Sequence, residues 1–164
     1  MRLPLVSLIA LVVAGSACRE TISPERASLL GDWITPSMSL GGGASYNVRY
    51  HFGADGSYWS RSTTYGSYGQ AADAMTGFVR YDGSYAVQCG RLFLNASLES
   101  TWDRFYGADS QVQVRQLPTP IEGISDLCGG GIEFTRLGDH LVFTYLSYPA
   151  DAPVETTMLL HRVH

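Results

Sequence analysis

The chain has 164 residues with 15 acidic and 11 basic side chains, every basic one an arginine, and a net charge of -4. That length suits one domain with one sizeable core; 45% apolar and 16% charged residues argue against disorder, and the acidic balance without a basic stripe argues against nucleic-acid binding. Ten tyrosines and 18 glycines favour strands and tight turns over helices.

Arg2 opens a mostly apolar run from Leu3 to Ala14, and Gly15-Ser16-Ala17 stand directly before Cys18. A charged start, an apolar stretch of about 7–15 residues and small side chains before a cleavage point are expected of an export signal. The run falls short of the roughly 20 apolar residues that a membrane span requires. Residues 1–17 are therefore expected to be a signal peptide, and Cys18 to be the lipidated first residue of a bacterial lipoprotein. Residues 18–22 then form a tether to the periplasmic side of the outer membrane, since Arg19 stands where an aspartate would favour the inner membrane. Gly15 occupies a position where the lipoprotein pattern usually has a larger aliphatic side chain. Ordinary cleavage near Ala17, giving a secreted or soluble periplasmic protein, is the alternative. Of the three cysteines, Cys89 and Cys128 then remain as a pair in an oxidising compartment. A bridge between them would close a loop of about 40 residues, worth roughly 3–4 kcal/mol in the chain-entropy view; two buried free thiols are the other reading.

The expected domain runs over residues 23–164. Ser23 as N-cap, Pro24 at the first helical position, Glu25 in the first turn and Gly31 beyond the end predict one short helical turn. Period-two alternation then marks strands. It carries Tyr46, Val48, Tyr50 and Phe52; Val79, Tyr81, Tyr85 and Val87; Leu92, Leu94 and Leu98; Val112 and Val114; Ile132 and Phe134; Leu141, Phe143 and Tyr145; and Met158 and Leu160. With a short first strand at Trp33 the expectation is all-β, an antiparallel up-and-down β-barrel of about eight strands, because closure removes exposed edges. Turns are expected at Ala54-Asp55-Gly56, Gln88 to Gly90, Gly107 to Ser110 and Leu137 to His140. Residues 65–77 and 118–131 are expected to be long loops, of a length that often covers a site. Asp55-Gly56-Ser57-Tyr58 and Asp82-Gly83-Ser84-Tyr85 echo one another, and Asp-Gly there is expected to supply positive φ for a tight turn or bulge. Neither has the alternate carboxylates of a calcium loop.

Gly31-Asp32-Trp33 after a helical turn, Phe52 to Tyr58, Gly83 to Val87 leading to Gly90 to Leu94, Gly138 to Thr144, and Leu160 to Val163 together resemble the bacterial lipocalin-like domain, a calycin-type β-barrel. The likeness spans most of Leu30 to Val163. It implies that Trp33 plugs the closed end of the barrel and that Arg162, from the last strand, packs across it. Such a cation–π pair with hydrogen bonds to backbone carbonyls is worth roughly 1–2 kcal/mol when desolvated.

No catalytic constellation is visible. His51, His140, His161 and His164 lack metal-ligand spacing, so no metal is expected. No nucleophile elbow, P-loop or dinucleotide fingerprint occurs, and the absence of lysine removes Schiff-base chemistry. Glu99, Asp103 and Asp109 are expected to be solvated loop acids. The chain is thus expected not to be an enzyme and to need no cofactor. Eight-strand barrels can enclose one small ligand, and the buried parity offers Tyr50, Phe52, Tyr81, Tyr85, Phe143 and Tyr145 as lining residues. The expectation is a monomer that binds or carries a small apolar molecule. An envelope interaction protein or protease inhibitor built on a filled barrel is the alternative.

Overall fold

A computed structural model describes residues 22–67, 69–104, 111–118, 131–147 and 152–164. Cys18, Asp109 and Cys128 lie outside the described residues, as do the expected signal peptide, most of the tether and the Gly107 to Ser110 turn. Helix α1 (Pro24–Leu29) forms where the capping signals place it, and the Ser23 hydroxyl accepts a hydrogen bond from the Arg26 amide at 3.2 Å. The strands are β1 (Gly31–Ile34), β2 (Met38–Gly41), β3 (Ala44–Phe52), β4 (Ser57–Tyr65), β5 (Met75–Gln88), β6 (Arg91–Asp103), β7 (Gln113–Gln116), β8 (Ile132–Leu137), β9 (His140–Ser147) and β10 (Val154–Arg162).

Eight of them close a ring in the order β1, β3, β4, β5, β6, β8, β9, β10. Every neighbouring pair is antiparallel, and β1 completes the closure by pairing with both β3 and β10. The fold is therefore a closed antiparallel eight-strand β-barrel with one short helix. Its membership differs from the alternation pattern in one exchange. Strand β4 is in the ring although its inward positions above Tyr58 are Ser60, Ser62 and Thr64, which hide a strand from any search for apolar alternation. Strand β7, which carries Val114, pairs only with β6 among the described residues. It lies along the later half of β6, at Leu98 to Thr101, whereas β8 pairs with the start of β6 at Arg91 and Leu92.

The core occupies one end of the barrel. Trp33, Leu29, Leu92, Leu141 and Leu160 are fully buried there. The Trp33 indole donates to the Leu29 carbonyl at 2.6 Å, which ties the plug to the end of α1. Trp33 and Arg162 are register partners, and the Arg162 guanidinium carbon stands 5.6 Å from the indole ring centre. That guanidinium also donates to the Leu30 carbonyl at 3.4 Å. A second cation shares the indole: Arg136 approaches it at 5.7 Å and donates to the Ser28 and Gly138 carbonyls. Above the plug, Phe52 meets Tyr85 edge to face at 5.1 Å and Phe143 at 6.4 Å, arrangements that the ring quadrupoles favour. The Tyr85 hydroxyl donates to the Gly53 carbonyl at 2.9 Å, so its polar end is satisfied.

Strands β5 and β6 meet at a bulge. Asp82 pairs with Leu98 but Gly83 pairs with Ala96, which leaves Ser97 as the extra residue. A Cβ on Gly83 would overlap the Asn95 carbonyl oxygen and come within 2.8 Å of the Ala96 Cα. Gly83 thus serves close approach, and only Gly56 of the two echoed Asp-Gly sites has positive φ, at 87°. The bulge also sets direction. Ala96 faces inward on one side of it and Glu99, Thr101 and Asp103 face inward on the other, while Leu98, expected on the buried face, turns away.

Candidate functional site

Above the aromatic floor the barrel is hollow. A cavity of about 290 Å³ is lined by Val48, Tyr50, Val79, Tyr81, Phe143 and Tyr145 among others. Four of the six aromatic residues picked from the sequence, Tyr50, Tyr81, Phe143 and Tyr145, stand in this wall. Phe52 and Tyr85 do not: at 1% and 6% exposure they close the floor beneath it. The reason is axial position. They sit at the plugged ends of β3 and β5, and Tyr50 and Tyr81 lie farther from the plug along the same strands.

A second cavity, of about 390 Å³, adjoins the first at Ser62 and Val79, which line both. Its walls carry Thr64, Thr101, Asp103, Gln111 and Gln113, with Phe78 and Trp102 among them. The inward residues of β4, read away from the plug, are Tyr58, Ser60, Ser62 and Thr64. Those of β6 are Leu92, Leu94, Ala96, Glu99, Thr101 and Asp103. Both strands therefore run from apolar to polar along the barrel axis.

One ion pair stands at this transition. Arg115 on β7 donates to the Glu99 carboxylate at 3.0 Å, and the Glu99 side chain is only 17% exposed. Tyr81 is the register partner of Glu99 across β5 and β6. Burial pushes the Tyr81 hydroxyl above the ordinary tyrosine range, and the negative charge of Glu99 and a hydrogen bond to it add to the shift. Burial does the same more strongly to Tyr58, helped by the charge of Asp82. Glu99 and Asp103 are accordingly strand residues facing the interior, not loop acids.

These shifts have a direction in stability. An unfolded tyrosine ionises near pH 10, whereas Tyr58 and Tyr81 hold their protons to higher pH in the barrel. The unfolded chain therefore binds fewer protons as pH rises through about 10, and stability falls there. Absorbance titration at 295 nm is expected to show Tyr58 and Tyr81 ionising late, with Tyr58→Phe removing one late ionisation. Normal titration of every tyrosine in still-folded protein would contradict the buried placement.

Cys89 lies at the tip of the β5–β6 hairpin and is exposed, so it is not the buried cysteine that one sequence reading allowed. Its expected partner, Cys128, is outside the described residues. His140 and His161 stack edge to face at 4.8 Å, and His51 stacks on Trp59, a ring held on the outer wall between Arg49 and Arg80. Among the described residues no three His, Cys, Asp or Glu side chains are grouped to hold a metal.

Sequence reasoning missed Ser60, Ser62, Thr64, Thr101 and Glu99 as inward-facing groups, and Arg115, exposed on β7, as the partner of Glu99. Arg61 and buried Thr63 stand opposite Ser60, Ser62 and Thr64, so polar residues on both faces left no period-two signal there. No protein-family model matches the chain, and no curated protein matches it.

Proposed function

We propose that the chain is a lipocalin-like carrier of the bacterial envelope that binds a small, largely apolar molecule without catalysis. In this reading residues 1–17 direct export, Cys18 carries the lipid that moors the domain to the periplasmic side of the outer membrane, and the domain works as a monomer. The observation that carries the proposal is the hollow above the floor: a 290 Å³ cavity walled by tyrosine, valine and phenylalanine inside a closed barrel. Cavities near 300 Å³ and above, mainly apolar with a few placed polar groups, are the usual form of small-molecule sites. Affinity would come from apolar area removed from water, about 25 cal/mol per Å² before ordering costs. The cavity is what favours a carrier over an inhibitor built on a filled barrel.

Native mass spectrometry of the mature protein from its host tests this reading. A co-purified mass adduct that unfolding releases is expected. A protein free of adduct that also fails to bind a neutral apolar fluorophore would overturn it. Incorporation of labelled fatty acid into wild type and not into Cys18→Ser tests the mooring. A bridge between Cys89 and Cys128 belongs to the same proposal, with non-reducing peptide mapping as its check.

A further inference from the structure

We infer that the bound molecule is an amphiphile with a neutral, hydroxyl-rich head group, its apolar part in the tyrosine-walled cavity and its head among the polar side chains beyond. The inference rests on the carrier reading above and names the ligand class. Its first support is continuity. The two cavities adjoin at Ser62 and Val79, register partners on β4 and β5 that line both, so a ligand lying along that wall has its two ends in the two cavities. Its second support is order. Moving away from the plug, β4 presents Tyr58, Ser60, Ser62 and Thr64 inward, and β6 presents Leu94, Ala96, Glu99, Thr101 and Asp103. An all-apolar ligand reaching the upper cavity would strip water from those groups and return nothing, a loss that buried polar groups do not tolerate cheaply.

The third support is the chemistry of the head site. Ser62, Thr64 and Thr101 offer hydroxyls, and Gln111 and Gln113 offer amides. Each of these side chains both donates and accepts, and a sugar or polyol hydroxyl does the same. Full charges are few there. Glu99, at the transition, is paired with Arg115, and Asp103 has an interaction of its own. No arginine lines the upper cavity among the described residues, so an anionic head finds no counter-charge and meets the Asp103 carboxylate instead.

Displacement of the neutral fluorophore N-phenyl-1-naphthylamine from the mature protein tests this, using three eight-carbon tails below their micelle-forming concentrations. Octyl glucoside, octanoate and octylamine differ only in their heads. Octyl glucoside is expected to displace the probe at about tenfold lower concentration than the other two, the size of one or two net hydrogen bonds. Thr101→Val and Gln113→Leu, each folded by circular dichroism, are expected to raise the displacing concentration of octyl glucoside toward that of octanoate. If octanoate or octylamine matches the glucoside, or if both variants keep the full preference, the head-group inference fails and the carrier reading stands. If the fluorophore does not bind at all, the carrier reading fails and the inference falls with it.

Discussion

Trp33→Ala is expected to lower the unfolding free energy by about 3–5 kcal/mol, the usual cost of truncating a fully buried aromatic to alanine. For a domain of this size that corresponds to a fall in melting temperature of roughly 10–20 °C. Three losses coincide. The indole is fully buried, so its removal leaves a cavity at the plugged end, where α1, β1 and β10 meet and cannot collapse without separating. The Leu29 carbonyl, which accepts the indole N–H at 2.6 Å, loses that partner. Arg162 and Arg136, both within 6 Å of the ring centre, lose the face they pack on. Trp33→Phe keeps most of the volume and forfeits mainly the hydrogen bond, so an intermediate loss of about 1–2 kcal/mol is expected. Thermal melts followed by circular dichroism read both variants. Because Trp33 lines neither cavity, residual binding below the lowered transition is expected to keep wild-type selectivity; a Trp33→Ala protein that melts normally would remove the indole from the core.

The plug was legible in the sequence because its parts are local. Ser23, Pro24, Glu25 and Gly31 fix a short helix by capping chemistry, and Gly31-Asp32-Trp33 follows at once. The apolar alternations of β3, β9 and the start of β6 were legible for the same reason, since one buried face and one wet face leave a period of two. Strand β4 was not legible in this way. Its inward side faces a polar cavity, so burial does not select apolar side chains there, and the strand reads as Ser-Arg-Ser-Thr-Thr. The place of β7 was equally hidden: Val112 and Val114 alternate like ring residues, but strand pairing is a long-range property that alternation does not encode.

The candidate site divides along the same line. Tyr50, Tyr81, Phe143 and Tyr145 follow from parity, which gives the face of a strand. Phe52 and Tyr85 share that parity and yet form the floor, because height along the barrel depends on register with neighbouring strands. Glu99 escaped for a third reason. The extra residue Ser97 shifts the parity of β6 halfway along its length, so any reading that carries the Leu92 and Leu94 alternation straight on to Leu98 puts the wrong residues inside.

That bulge makes Gly83→Ala the second large effect. The added Cβ would overlap the Asn95 carbonyl oxygen and lie 2.8 Å from the Ala96 Cα. Both belong to the backbone of the neighbouring strand and cannot swing aside as a side chain would. One outcome is that β5 and β6 part locally, at a cost of about 3 kcal/mol, the upper end for inserting one methyl group into packed structure. The other is that the bulge is lost and β6 slips by one residue beyond it. A slip of one turns every later side chain to the opposite face, so Leu98, Ser100 and Trp102 would replace Glu99, Thr101 and Asp103 inside the barrel. The two outcomes separate experimentally. Strand parting lowers the melting temperature by roughly 10 °C and leaves the preference for octyl glucoside over octanoate in the folded fraction. A slip withdraws Thr101 and Asp103 from the cavity wall and abolishes that preference even where the protein stays folded. A Gly83→Ala protein with wild-type stability and wild-type preference would mean that β5 and β6 do not approach closely at this point, and the inward placement of Glu99, Thr101 and Asp103 would lose its cause.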